Sequence, residues 1–159
     1  MTTNQCFHFY VIFVNDYLRF TWLYPLKWQS EFFVCFHKFQ NLVENQFDRK
    51  IKVFQCDGGG EFSFNIFFEH LRNNGIKLHV SCHRTSQQKV VEQKHWHIVE
   101  TKLIMFFHAN LPSSLWVEVF LTVVYLTNRL PSSTLNNVNP YFKFYGRHFD
   151  YIGLWVQGC

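Results

Sequence analysis

The stretch FHFYVIFVNDYLRFTWLYPL, residues 7–26, indicates the fold class. Its first eight residues are almost all apolar and are rich in aromatic and β-branched side chains, which is typical of a buried strand. The run stops at Asn15-Asp16, a pair that favours a turn. We therefore predict a strand at 7–14 and a second strand at 20–26, with antiparallel pairing as the simplest topology.

Beyond this hairpin, helix and strand patterns alternate along the chain. Apolar residues at helical spacing predict helices, and short apolar runs bounded by turn residues predict strands. The predicted strands are 50–56 and 76–82, and the predicted helices are 30–47, 64–75, 90–110 and 114–128. Ser30 is the expected N-cap of the first helix, and Gly75 closes the second. This order predicts an α/β fold: a mixed sheet with helices on its faces.

Composition limits the classes of protein to consider. The 159 residues fit one domain, and 20 Phe, 7 Tyr and 5 Trp require many rings to pack on one another or to lie exposed. A net charge of +4 permits a nucleic-acid partner without establishing one.

The odd number of cysteines, five, favours free thiols in a reducing compartment. The apolar run at 7–14 is too short to span a bilayer and has no basic segment before it, so we expect a soluble intracellular chain without a signal peptide.

Two acidic residues are candidates for chemistry. Asp57 follows a predicted strand and precedes three glycines in QCDGGGEF (55–62), so it is either a turn former or a metal ligand at a strand end. Glu92 is separated from Asp57 by 34 residues and lies near the start of a predicted helix. Two converging carboxylates suit Mg²⁺, which can serve phosphoryl transfer. The alternative is that Glu92 only adds favourable charge to the first turn of its helix.

Five blocks of the chain resemble, in the same order, the integrase catalytic core of plant Ty1/copia-type retrotransposon polyproteins. They are FYVIFVNDYLRFTWLYPLK (9–27), KVFQCDGGGEF (52–62), HRTSQQKVVEQKHWHIVET (83–101), LPSSLWVEVFLTVVYLTNRLPS (111–132) and NPYFKFYGRHFDYIGLWVQGC (139–159). The resemblance covers essentially all of the chain from about residue 7. It implies a ribonuclease-H-like fold, with a core domain at 1–135. Because Pro140 and Asn136-Asn137 disfavour regular elements, we expect 136–159 to be an irregular extension with one late strand near LWVQGC.

The resemblance also implies a site and an activity. Asp57 and Glu92 match the second Asp and the Glu of a D,D,E triad that binds Mg²⁺ or Mn²⁺, and Gln87 and Gln88 match a glutamine pair in the loop before that Glu. In the family the metal supports DNA 3′-end processing and strand transfer. Three basic residues, Lys94, His95 and His97, are expected on the DNA-facing side of the helix, contacting phosphates. The expected partners are DNA and further copies of the chain, in the nucleus, without a membrane or a small-molecule cofactor.

Departures from the family pattern predict a chain that is inactive alone. The family's first catalytic Asp lies on a strand that precedes the first block, and these 159 residues contain no match to it; Asp16 matches a different acidic position. That strand is central in the ribonuclease-H-like sheet, so we expect a sheet with its central strand missing and an N-terminally truncated domain. SQQKVVE (86–92) is also one residue shorter than the family's PQQNGVAE, which would rotate Glu92 by about 100° unless the loop absorbs the change.

The sequence leaves open one alternative function and one alternative metal site. A non-catalytic nucleic-acid-binding or interaction domain derived from a mobile element is the alternative function. A structural zinc site at His79, Cys82 and His83 has no complete four-ligand spacing.

Overall fold

The computed structural model describes residues 7–56, 64–80 and 86–151, without the side chains of Phe64 and of residues 86–90. The chain divides into two compact units. The first unit consists of Met1–Val11 and Tyr24–Lys89, and the second of Ile12–Leu23 and Val90–Cys159.

The predicted hairpin is confirmed. Strand β1 (Phe9–Val14) pairs with strand β2 (Thr21–Leu26) in a two-stranded sheet. The Asn15 backbone N–H donates to the Phe20 carbonyl at 2.9 Å and closes the turn between them. The apolar run therefore ends where its turn residues begin.

The first unit contains a β-α-β arrangement. Helix α1 (Phe32–Phe47) precedes strand β3 (Val53–Cys56), and helix α2 (Phe64–Asn73) connects β3 to strand β4 (Lys77–Val80). The two strands are parallel, with Val53 opposite Lys77 and Cys56 opposite Val80. Parallel strands need such a crossover connection, and the sequence predicted its helix and both of its strands.

The predicted helix ends differ in accuracy. Ser30 was expected to cap α1, but this assignment is wrong, because a 3-10 turn at Gln29–Glu31 precedes the helix. The Glu31 carboxylate instead accepts hydrogen bonds from the Lys27 and Trp28 backbone N–H groups, at 2.8 and 3.3 Å. Gly75 is correctly predicted: it follows α2 with φ +67°, the left-handed conformation that glycine adopts without strain.

Phenylalanine rings fill the core of the first unit. Phe36 of α1 is completely buried, and its ring contacts four other phenylalanine rings, two of them edge-to-face, with centroids 5.0–6.5 Å apart. These neighbours are Phe32, Phe39, Phe54 and Phe67. The aromatic excess in the sequence is thus used in part as a ring-on-ring core that joins α1, β3 and α2.

The second unit is mainly helical. Helices α3 (Ser86–Ala109) and α4 (Trp116–Arg129) are the two long elements, and helix α5 (Pro140–Tyr145) is short. The first four residues of α3 belong to the first unit. Apolar side chains from the helices and from the hairpin are buried in this unit, among them Phe20, Ile98, Phe120, Val123 and Phe144.

A buried polar pair joins the hairpin to α4. The Asn128 side chain accepts a hydrogen bond from the Thr21 N–H at 2.9 Å and donates to the Thr21 carbonyl at 2.7 Å. Thr21 is 1% exposed and Asn128 is 3% exposed. The amide therefore satisfies both backbone groups of Thr21 where water does not reach them.

The end of α4 is held by aromatic side chains around Arg129. Its guanidinium carbon lies 3.4, 4.7 and 4.6 Å from the ring centroids of Tyr125, Tyr141 and Phe149. The Tyr151 hydroxyl donates to the Arg129 carbonyl at 2.6 Å. Among the described residues, the buried Nε of Arg129 has no hydrogen-bond partner. Nη1 of the same guanidinium group donates to the Tyr125 carbonyl at 3.0 Å, so this hydrogen bond and cation–π attraction together hold the side chain.

The extension at 136–159 was predicted to be irregular, and helix α5 corrects this. Asn139 caps the helix, because its side chain accepts from the Phe142 N–H at 2.6 Å. Pro140 occupies the first turn, and Gly146 ends the helix with φ +69°. These are standard start and stop signals, but the helix is too short to show an apolar period. The predicted late strand at 154–159 lies outside the described residues.

The sheets complete the α/β fold. Among the described residues, β1–β2 and β3–β4 form separate two-stranded sheets, the second parallel. A single mixed sheet was expected, and the described residues contain no strand that pairs with both. Two-stranded sheets are marginal alone, so each depends on its contacts with helices.

Candidate functional site

Helix α3 carries most of the candidate site, and it starts earlier than predicted. It begins at Ser86 rather than at residue 90, so Glu92 is its seventh residue and does not lie in the first turn. Gln87 and Gln88 were expected in a loop, but their backbone is helical. The segment 86–92 contains neither proline nor glycine, the two residues that break helices, so the helix extends back through it.

Glu92 is an exposed residue of α3. Asp57, its expected partner, lies outside the described residues. Asp57 directly follows β3 in sequence, at the end of the strand where parallel sheets usually place their ligands. The pairing of the two carboxylates stays a prediction.

The described residues contain no group of three or more His, Cys, Asp or Glu side chains that could hold a metal ion. His79, from the candidate zinc cluster, is exposed on β4, and Cys82 and His83 lie outside the described residues. The side-chain chemistry of Asp57 and Glu92 suits Mg²⁺, because both residues offer carboxylate oxygens, which this hard cation prefers as ligands.

Helix geometry separates the three basic residues expected on one DNA-facing side. At about 100° per residue, Lys94 points within about 40° of Ile98, while His95 and His97 point about 160° apart. Ile98 is completely buried and Lys94 is half-buried, so Lys94 lies on the inward side of α3. His95 is half-buried and points about 60° from both Glu92 and Ile98, and His97 is exposed. A single basic face is therefore not formed.

Lys94 also has an unusual electrostatic environment. Burial lowers the pKa of its ammonium group, and repulsion from Arg19 lowers it further. Burial disfavours the charged form of an amine, and a nearby like charge does the same. Lys94 is thus close enough to Arg19, in the hairpin turn, for their charges to interact.

Sequence reasoning gave no role to Trp96. It lies one helical turn after Glu92, within about 40° of it on the same side of α3, and it is 62% exposed. Its ring contacts that of His95, with centroids 6.4 Å apart. The four-residue spacing from Glu92 is the signal that could have identified it.

No described helix combines the length and the apolar character needed to cross a bilayer. Of the five cysteines, Cys35 and Cys56 lie within the described residues, and both are free thiols, as predicted.

Comparison with curated proteins finds similar segments in plant transposons. The chain is 41% identical over 158 residues to the retrovirus-related Pol polyprotein from transposon RE1 of Arabidopsis thaliana, covering 99% of this chain and 11% of that protein. It is 40% identical over 154 residues to the RE2 polyprotein of the same plant, covering 96% of this chain and 10% of that protein. It is 36% identical over 152 residues to the TNT 1-94 polyprotein of Nicotiana tabacum, covering 95% of this chain and 11% of that protein. The chain thus spans about a tenth of these relatives, and no protein-family model matches it.

Comparison with solved structures concerns the fold. The HTLV-2 integrase catalytic core domain, in complex with magnesium and in a trimeric form, aligns with a TM-score of 0.60 at 15% identity, over 84% of this chain and 82% of that one. The catalytic core domain of BIV integrase aligns with a TM-score of 0.58 at 13% identity, over 85% of this chain and 84% of that one. The predicted ribonuclease-H-like α/β fold is confirmed.

Proposed function

Because the chain is homologous to one segment of plant Ty1/copia-type Pol polyproteins and has the fold of integrase catalytic cores, we propose that it is an integrase-type DNA-binding domain. The observation that supports this most strongly is the match over 99% of the chain to the RE1 polyprotein. The shared fold is independent support, since it comes from coordinates at low sequence identity.

Asp57 and Glu92 are the proposed metal ligands. Glu92 is exposed on α3 and is therefore available to an ion from solution. The related HTLV-2 core was solved with magnesium, which supports a divalent metal, Mg²⁺ or Mn²⁺, in this group of folds. When bound, such an ion would stabilise charge on a phosphodiester during attack by a hydroxyl group.

The proposed DNA contacts lie along α3. Gln87, Gln88, His95 and His97 are proposed to meet the DNA from different sides of the helix start, with the two histidines contacting phosphates. Lys94 is the exception in position: its stem lies inward, and its ammonium group would have to reach past the helix to bind a phosphate. Phosphate contacts of this kind fix position without reading sequence.

We further propose that this chain alone does not catalyse strand transfer. Its 159 residues supply matches to two of the three expected carboxylates, Asp57 and Glu92. A single pair would leave the metal with fewer protein ligands than the family pattern provides. Association into oligomers and action in the nucleus belong to the same proposal, and the trimeric form of the HTLV-2 core supports the first.

Metal binding and catalysis are tested together on the purified chain. Calorimetric titration with Mn²⁺ should show binding that is lost in Glu92→Gln and in Asp57→Asn. The matched control is Glu100→Gln, which removes another exposed carboxylate from the same helix and should leave Mn²⁺ binding unchanged. Strand-transfer assays with Mg²⁺ should give no product. Robust product that disappears in Asp57→Ala would overturn the claim of inactivity.

DNA binding separates the proposal from its alternative. Binding to a short duplex should weaken as salt rises, because phosphate contacts release counterions. Mg²⁺ should strengthen this binding in the unaltered chain but not in the double variant Asp57→Asn, Glu92→Gln. If binding is unaffected by Mg²⁺ and by the loss of both acids, a non-catalytic nucleic-acid-binding domain is the better description. If the chain binds no DNA, both descriptions fail.

A further inference from the structure

A groove in the second unit lies between the hairpin turn and the segment that leads into α5. Its volume is about 360 Å³, and its polar lining includes Tyr17 and Arg19 from the turn, Thr134 and Asn136 from a 3-10 turn, and Lys143 from α5. A water molecule occupies about 30 Å³ in the liquid, so the groove has room for a group much larger than one small ion.

The hairpin side of the groove has a fixed backbone. The Asn15 side chain accepts hydrogen bonds from the N–H groups of Tyr17 and Leu18, at 3.1 and 2.8 Å. The Arg19 N–H donates to the Asn15 carbonyl at 2.8 Å, and Arg19 has φ +56°, a conformation unusual for a long side chain. These bonds hold Arg19 in place at the groove before any ligand arrives.

The opposite side is also a defined turn. Asn136 and Asn137 have left-handed backbones, with φ +56° and +61°. The Asn137 N–H donates to the Ser132 carbonyl at 2.9 Å, and the Thr134 hydroxyl is hydrogen-bonded to that of Ser132 at 2.8 Å. Asparagine tolerates the left-handed region better than most residues, so this turn forms without large strain. The groove therefore has two preformed walls.

Positive charge dominates the groove. Asp16 is its acidic member, and its carboxylate forms an exposed ion pair with Arg19 at 3.0 Å. Lys143 forms no ion pair with a carboxylate among the described residues. Lys94 adds a third cation near Arg19, because the pKa of Lys94 is lowered in part by repulsion from that guanidinium group.

We propose that this groove binds the sugar–phosphate backbone of DNA, as a contact additional to the residues of α3. Arg19 and Lys143 would hold a phosphate between the two walls, and the Tyr17, Thr134 and Asn136 side chains can donate further hydrogen bonds to phosphate or sugar oxygens. The exposed Arg19–Asp16 pair does not prevent this, since such pairs contribute only about 0–1 kcal/mol. A free phosphate ion would leave most of the groove unfilled, which favours a nucleotide chain as the ligand. The inference rests on the proposed DNA-binding function.

The test measures binding of a short fluorescent DNA duplex by anisotropy, over a fourfold range of salt concentration. Each lost phosphate contact makes the negative slope of log K against log salt less steep by about 0.9. When salt rises fourfold, the affinity of Lys143→Ala should therefore fall about 3.5-fold less than the affinity of the unaltered chain. Lys38→Ala, an exposed lysine of α1, removes the same charge elsewhere and should leave the slope unchanged. Asp16→Asn should tighten binding. Arg19→Asn should weaken binding while tolerating the left-handed backbone.

Three outcomes count against the inference. Equal slopes for Lys143→Ala and Lys38→Ala would reduce the effect to net charge, and Asp16→Asn without tighter binding would remove the electrostatic argument; in both cases the proposed function stands. If inorganic phosphate at matched ionic strength binds the unaltered chain but not Lys143→Ala, and does so without displacing DNA, the groove is a free-anion site instead. Absence of DNA binding by the unaltered chain would refute the proposed function as well. Circular dichroism of each variant confirms that folding is kept.

Discussion

Replacing Asn128 by alanine should destabilise the chain by about 2–6 kcal/mol. The substitution removes both partners of Thr21, whose N–H and carbonyl bond to the Asn128 amide at 2.9 and 2.7 Å. A buried polar group left without a partner costs about 1–3 kcal/mol, and two such groups give the stated range. Small domains have a total stability of about 5–15 kcal/mol, so this loss is a large share of the margin.

Urea unfolding followed by circular dichroism measures the loss. Asn41→Ala is the matched control, since Asn41 is an exposed helical asparagine whose side chain bonds to that of His37, and its change should stay within about 0.5 kcal/mol. Asn128→Asp should cost at least as much as alanine at neutral pH, because its buried carboxylate still accepts from the Thr21 N–H but faces the Thr21 carbonyl without a proton to donate. If Asn128→Ala costs no more than the control, the amide bridge does not stabilise the fold, and the reasoning from its burial is refuted.

Three further predictions concern titration, reactivity and packing. Burial lowers the pKa of His70 below its ordinary value of 6.5, so just below pH 6.5 the unfolded chain binds more protons than the folded chain. The free energy of unfolding should therefore fall as the pH drops through this range, and urea titrations should show a flatter pH profile for His70→Gln. Burial raises the pKa of the Cys35 thiol to about 11, which keeps it in the unreactive protonated form. In the native protein iodoacetamide should therefore label Cys56 well before Cys35, as measured by peptide mass spectrometry, and equal labelling rates would contradict this. Arg129→Lys should lower the free energy of unfolding in urea by about 1 kcal/mol, because an ammonium group lacks the planar face that lies 3.4 Å from the Tyr125 ring centroid. An unchanged urea midpoint would argue against this contact.

Most of the fold could be predicted from local patterns. The hairpin combines a continuous apolar run with turn residues at Asn15-Asp16, and the β-α-β segment has clear periodicity and Gly75 at its helix end. Helix α5 was missed because its cap residues, Asn139 and Gly146, enclose only six residues, too few for a period to appear. The early start of α3 was missed because the residues before Val90 are polar and show no apolar period, so the helix was predicted to begin at residue 90.

The candidate site could be predicted only in part. The carboxylates Asp57 and Glu92 were identified from the order of five blocks, and their pairing stays a prediction. The inward direction of Lys94 depends on which side of α3 is buried, and tertiary packing around Ile98 decides that. The groove joins Arg19 to Lys143, which are far apart in the sequence, and no local pattern indicates such a contact.

The stack around Arg129 can be regarded as a binding site that already holds its ligand. The three rings of Tyr125, Tyr141 and Phe149 form a receptor for a planar cation, and the side-chain stem of Arg129 is its tether. Short tethers give effective concentrations in about the millimolar range, and a dissolved cation must exceed that value to compete. Guanidinium chloride at denaturing concentrations exceeds it greatly. We therefore expect that salt to compete with Arg129 at the end of α4 as well as to denature the chain, whereas uncharged urea should only denature it.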